Sequence, residues 1–204
     1  MNLEQLEKDL RKRLEYPYKW GTRQTNALDQ QTNYIYSIPR FDALLEKLHS
    51  ESAFIQNYAM NRWFNYNSAM AVEYMFAQNS VVTPHHNRRN KLIDFSLCDI
   101  NFDHKTSVFP KSFGFGIDYA MANKELLIQW LYVNQSQEGR KHLGNRLFLI
   151  MYDSVAGEHW KIKAQLERIN KAVDAYINNF QEENLITLDI ENNSPLSDTI
   201  FVCV

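Results

Sequence analysis

The sequence predicts a mixed α/β (α+β) fold, with a central mixed sheet flanked by helices and an N-terminal helical extension. Three observations predict it. Residues 1–65 show mainly helical spacing of apolar side chains. From residue 66 onward, helix-like and strand-like segments follow one another in the order α-β-β-α-β-α-β-β, and an extra strand fits near 106–110. The 204 residues are 45% hydrophobic and 23% charged, which suits a chain that folds around a core. The expected division is a helical extension over 1–65, packed on a core over 66–204.

Leu3, Leu6, Leu10 and Leu14 mark one face of a first helix. Residues 16–38, "YPYKWGTRQTNALDQQTNYIYSIP", are turn-rich and read as a long loop that can hold a short strand. Phe41, Leu44, Leu45 and Leu48 mark a second helix, and residues 52–64 a third. Asn67 or Ser68 is expected to cap a further helix over 68–78, because a short side-chain oxygen satisfies free N–H groups there. "VVTPHHNRRNK" then breaks the helix at Pro84. Strands are expected at 91–97 and 100–109. Gly114 and Gly116 punctuate the chain, and Asp118 is expected to cap a helix with the stripe Tyr119, Ala122, Leu126, Trp130 and Val133. "RLFLIMY", 146–152, is apolar on both faces and reads as a strand covered on both sides. A long helix follows, with Ile162, Leu166, Ile169, Val173, Tyr176 and Phe180 on one face, and strands near 185–190 and 198–204 close the chain.

The stretch "LIDFSLCDINFDHKTSVFP", 92–110, alternates like a hairpin but contains three aspartates and a lysine. If the turn is Cys98–Asp99, or spans 97–100, paired residues sum to 197. Phe95 then faces Phe102, and Asp94 faces Asp103. An odd loop would set apolar side chains against polar ones. Two carboxylates about 5 Å apart across a ladder repel by roughly 3 kcal/mol at an effective dielectric of 20. A cation must compensate, either Lys105 on the same face or a hard divalent metal. The bland alternative is an exposed, salt-bridged edge, but the apolar flanks "KLIDF" and "SVF" point to strands inside a sheet. Glu73 is the single charge in "YNSAMAVEYMFAQNS" and is costly on an apolar helix unless paired or bound to metal. The bland reading of Glu73 is a helix-edge side chain reaching water or an arginine. His104 falls on the apolar face and reads as a core histidine.

This arrangement resembles the PD-(D/E)XK (restriction-endonuclease-like) nuclease superfamily. A helix glutamate, Glu73, precedes a strand Asp94 and a tight hairpin into the D-x-K of Asp103 and Lys105, within "IDFSLCDINFDHK". The resemblance spans about 66–152. Ile93 stands where that family's proline would be, and Asp103 replaces its more frequent glutamate. The resemblance implies a restriction-endonuclease-like core and a nuclease hydrolysing phosphodiester bonds, DNA before RNA. It implies Mg²⁺, with Mn²⁺ as substitute, held by Asp94, Asp103 and the backbone carbonyl of His104. Glu73 would orient a water or hold a second ion, and Lys105 would activate the attacking water. The alternative is a non-catalytic nucleic-acid-binding or protein-interaction module on the same fold.

With a net charge of −2 the whole chain is not a basic nucleic-acid binder, so polyanion contacts need local patches. Arg88 and Arg89, with Lys91, lead into the strand carrying Asp94. Arg140 and Lys141, with His142 and Arg146, form another cluster, and Arg11, Lys12, Arg13, Lys19 and Arg23 a third. Arg88, Arg89, Lys111, Arg140 and Lys141 are the expected nucleic-acid contacts. Adjacent His85 and His86 lack matching metal-ligand spacing and read as a surface loop. Cys98 and Cys203 are far apart without metal spacing, so a reducing, cytoplasmic setting is expected. The charged N-terminus does not read as a signal peptide, and no apolar run reaches the ~20 residues of a membrane span. The leucine stripe of the first helix suggests a homodimer contact.

Overall fold

The computed structural model describes residues 1–85, 92–134 and 143–204. Two compact units emerge: Met1–Ala71 with Lys163–Leu166, and Val72–Ile162 with Glu167–Val204. The division falls inside a helix, at Ala71 and Val72, a few residues after the 65/66 boundary expected above.

The first unit is helical. α1 (Leu3–Arg13) is capped by the Asn2 side chain, which accepts from the Gln5 N–H at 3.0 Å. Leu6 and Leu10 are buried, as the leucine spacing requires. α2 (Asn26–Gln31) and a 3₁₀ turn (Asn33–Ser37) occupy the segment expected to be loop. Thr25 starts α2 by accepting from the Leu28 N–H. Six residues are too few for apolar periodicity to declare a helix. α3 (Phe41–Leu48) buries Phe41, Leu44 and Leu48, and Phe41 packs on Trp63 with ring centroids 5.3 Å apart.

α4 (Ala53–Ala77) is one helix of 25 residues and not two. The cap expected at Asn67 or Ser68 is therefore absent. Both side chains instead turn back onto their own helix, Asn67 donating to the Trp63 carbonyl and Ser68 to the Asn65 carbonyl. No Gly or Pro interrupts 53–77, so nothing stops the helix there.

The second unit is a six-stranded mixed sheet flanked by helices. The strands are β1 (Val82–Pro84), β2 (Phe95–Leu97), β3 (Ile100–Val108), β4 (Arg146–Tyr152), β5 (Ile186–Thr187) and β6 (Leu196–Cys203). Their spatial order is β1-β2-β3-β4-β6-β5. β1, β2 and β3 form an antiparallel meander, β3, β4 and β6 run parallel, and β5 returns antiparallel on the edge. β2 and β3 are inner strands, as their apolar flanks required. β1 lies in the segment read as a helix breaker. β4 is buried from Arg146 through Met151, the signature of a strand covered on both faces.

α5 (Ile117–Ala122) and α6 (Lys124–Asn134) replace the single helix expected after Gly116. Gly116, not Asp118, is the N-cap. The expected stripe is also on the wrong face, because Tyr119, Leu126 and Val133 are exposed. Ala120, Leu127, Ile128 and Leu131 are buried instead, in a cluster with Phe113, Phe148 and Ile150. Residues 126–133 are apolar on both sides, so spacing could not choose between the faces. α7 (Leu166–Asn178) buries Leu166, Ile169, Val173 and Ile177, close to the expected face. A 3₁₀ turn (His159–Ala164) precedes it where a longer α-helix was expected. No helix among the described residues is long and apolar enough to cross a membrane.

Candidate metal centre

The hairpin has the expected register: Phe95 pairs Phe102, Ser96 pairs Asn101 and Leu97 pairs Ile100. The turn is Cys98–Asp99, both with positive φ (48° and 66°), which is the twist a two-residue hairpin loop demands. Phe95, Phe102 and His104 share one face. Phe76 of α4 stacks on Phe95 at 4.4 Å between centroids, and the His104 ring lies 6.3 Å from that of Phe95. This apolar stack places the α4 turn carrying Glu73 beside β3.

The register breaks at Asp94, and the expected Asp94–Asp103 pair does not form. The Asp94 N–H donates to the Phe102 carbonyl at 2.8 Å, although Phe102 already pairs with Phe95. Two residues thus meet one, the arrangement of a β-bulge, which re-aims a side chain. The Asp94 carboxylate is carried to His104. Its Oδ2 accepts the His104 backbone N–H at 2.7 Å and lies 3.1 Å from His104 Nδ1. Glu73 Oε1 lies 3.9 Å from the same nitrogen. One donor atom from each of Glu73, Asp94 and His104 falls within 4.8 Å of the others. Two carboxylate oxygens and an imidazole nitrogen at that spacing suit a divalent cation.

The electrostatics fit such a cluster. Burial raises the Glu73 carboxyl above its ordinary value, helped by the charges of Asp94 and Asp103 and opposed by His104 and Lys105. Burial also pushes Asp94 upward, but hydrogen bonds and charge from His104, with Lys105 beyond, outweigh it and leave Asp94 lowered. The two acids thus shift in opposite directions, Glu73 upward by burial and Asp94 downward by its bonds to His104, a pattern that marks functional sites more often than chance.

Asp103 and Lys105 occupy the other face of β3, because neighbouring strand residues alternate. Asp103 is buried and ion-paired to Lys105 Nζ and, at 3.6 Å, to Arg146 Nε of β4, its parallel partner in register. The Arg146 guanidinium sits 4.7 Å from the Tyr132 ring centroid. Among the described residues Asp103 is ion-paired to Lys105 and Arg146, and the donor atoms that lie together are those of Glu73, Asp94 and the His104 ring rather than of Asp94 and Asp103. Lys105 remains close enough for its charge to act on both Glu73 and Asp94.

Two side chains do more than their spacing predicts. The His104 ring is buried against Phe95, as expected of a core histidine, and also meets Asp94 and Glu73. Arg146 belongs in sequence to a basic cluster but is buried, because an arginine opening a wholly apolar strand needs a buried partner. Lys111 is exposed in a 3₁₀ turn beyond β3, where its charge acts on His159. Arg88, Arg89, Lys91, Arg140 and Lys141 lie outside the described residues. His85 donates its N–H to the Asp94 carbonyl, and its Nε2 lies 2.7 Å from Ser96 Oγ. Comparison with protein-family models, with curated proteins and with solved structures gives no match, so the functional reading rests on these residues alone.

Proposed function

We propose that the protein is a divalent-metal-dependent nuclease hydrolysing phosphodiester bonds, with DNA as the first substrate to test. The observation that carries this reading is the convergence of Glu73, Asp94 and His104 within 4.8 Å, with Lys105, two residues past Asp103, near enough for its charge to act on both acids. The element order supports it. α4, β1, β2, β3, α6 and β4 follow one another in an α-β-β-β-α-β order, with the short α5 before α6, and the first four strands are adjacent in sequence order; this is similar to the order expected of the restriction-endonuclease-like core.

Glu73, Asp94 and His104 would hold a cation, which when bound would supply an activated water and neutralise charge developing on the phosphate. The chain's own residues do the rest. The Asp94 carboxylate is oriented by the His104 N–H, which holds its Oδ2 beside His104 Nδ1. Lys105, tethered by Asp103, offers an ammonium to a phosphate oxygen or to the attacking water, where charge grows in the transition state. Asp103 acts as a positioning residue for Lys105 and Arg146. A second reading, a non-catalytic nucleic-acid or protein-binding module, is favoured by one observation: Asp103 is already neutralised by two cations.

Incubation of the protein with plasmid, single-stranded DNA and RNA, in Mg²⁺, Mn²⁺ or EDTA, tests the proposal. Cleavage of at least one substrate that EDTA stops supports it. Binding without cleavage in either metal supports the second reading.

A further inference from the structure

We infer that the Glu73–Asp94–His104 cluster is a site for a first-row transition cation, for which Mn²⁺ serves as the probe, bound through the His104 imidazole and selected over Mg²⁺. This rests on the preceding reading of those three residues as a cation site, but not on the cleavage of nucleic acid.

Geometry supports the imidazole as a ligand. Bonds of about 2.1 Å set cis donors about 3.0 Å apart and trans donors about 4.2 Å apart. Asp94 Oδ2 and His104 Nδ1 are 3.1 Å apart, the spacing of cis donors, and Glu73 Oε1 stands 3.9 Å from the same nitrogen. A small movement of the half-exposed Glu73 side chain closes the set, whereas the histidine need not move.

The ring is also held in advance. The His104 side chain is 2% exposed and lies against Phe95. Its backbone N–H is fixed by the same Asp94 oxygen that would share the ion. Nδ1 faces the two acids, while Nε2 is buried without a hydrogen-bond partner among the described residues. Any ligand for this ring must therefore approach from the acid side. A buried imidazole aimed between two carboxylates is not the donor set that Mg²⁺ prefers, since Mg²⁺ favours oxygen and keeps its waters. Imidazole raises affinity along the transition series, so the nitrogen is the element of selectivity.

The test is Mn²⁺ titration of the full chain followed by electron paramagnetic resonance, with pulsed detection of nitrogen coupling. The expected result is tight Mn²⁺ with a histidine nitrogen signal that survives a tenfold excess of Mg²⁺. Glu73→Gln and Asp94→Asn should each weaken Mn²⁺ binding at least tenfold, and circular dichroism shows whether each variant is folded. Mn²⁺ bound without nitrogen coupling, displaced by equimolar Mg²⁺, held equally by both variants, or not bound at all would overturn the inference. Selective Mn²⁺ binding by a protein that cleaves no nucleic acid leaves this inference standing and removes the nuclease.

Discussion

Asp103→Asn removes one charge from a buried position in β3. If Asp103 faced Asp94, removing one charge would relieve repulsion and stabilise the metal-free protein. The structure reverses the sign. Asp103 is buried at 2% exposure between Lys105 and Arg146, and Arg146 is itself 3% exposed. Removing the carboxylate charge takes the Asp103 ion pair away from a buried guanidinium, and breaking a buried pair in this way typically costs about 3–5 kcal/mol. Several features pull the value to the low end. The Asp103–Arg146 pair is 3.6 Å apart, longer than a hydrogen bond; asparagine keeps one acceptor oxygen; and the Tyr132 ring continues to face the guanidinium. Lys105 is 39% exposed and can turn to water, so its loss of a partner counts for little. The expected destabilisation is about 3 kcal/mol. Urea unfolding followed by tryptophan fluorescence measures it, with EDTA present to remove metal effects. A variant as stable as the wild type, or more stable, would refute the placement of Asp103 against Arg146.

Three further outcomes follow from the structure. Lys163 is fully buried, donates to Asn65 Oδ1 at 2.7 Å, and is pushed down to about 8 by burial. The unfolded chain therefore binds more protons between about pH 8 and 10.5, so stability should rise through that window, by roughly 3 kcal/mol in all. Lys163→Met should remove the rise and be the more stable protein at pH 7; equal slopes in pH-dependent melts would contradict the burial. Glu73 has a raised folded value, so its contribution is complete below about 4.5 and is lost as pH climbs through that raised value. Metal-free Glu73→Gln should accordingly gain stability over the wild type between pH 4 and 7, and a constant difference across that range would count against the desolvated carboxylate. Lys105→Ala should lower cleavage on the order of a hundredfold or more while sparing nucleic-acid affinity, which comes from many phosphate contacts; activity within threefold of the wild type, by initial rates, would remove its role.

The hairpin was legible because its two halves alternate with period two and an even turn is the one that keeps Phe95 against Phe102. That signal is collective, carried by all three paired positions of the hairpin. The bulge at Asp94 was not legible, because it depends on one N–H choosing the Phe102 carbonyl, and no periodicity records such a choice. This single choice moved Asp94 from Asp103 to His104 and changed the ligand set. Glu73 was visible as a lone charge on an apolar helix. The helix breaks were harder. Asn67 and Ser68 are good caps by type, yet inside a long helix their side chains are satisfied by carbonyls three or four residues back. In α6 apolar residues surround the axis, so only the sheet, through Phe148 and Ile150, decides that Leu127 and Leu131 turn inward.

The proposal that a cation held by Glu73, Asp94 and His104 would assist phosphodiester hydrolysis is open to direct test. The most direct measurement is the initial cleavage rate of a labelled DNA duplex and of single-stranded DNA in Mn²⁺, for wild type and Glu73→Gln purified identically. The expected result is cleavage by the wild type that EDTA abolishes and that falls on the order of a hundredfold in the variant. Equal rates in the two proteins, or none in the wild type while Mn²⁺ is bound, would contradict the claim.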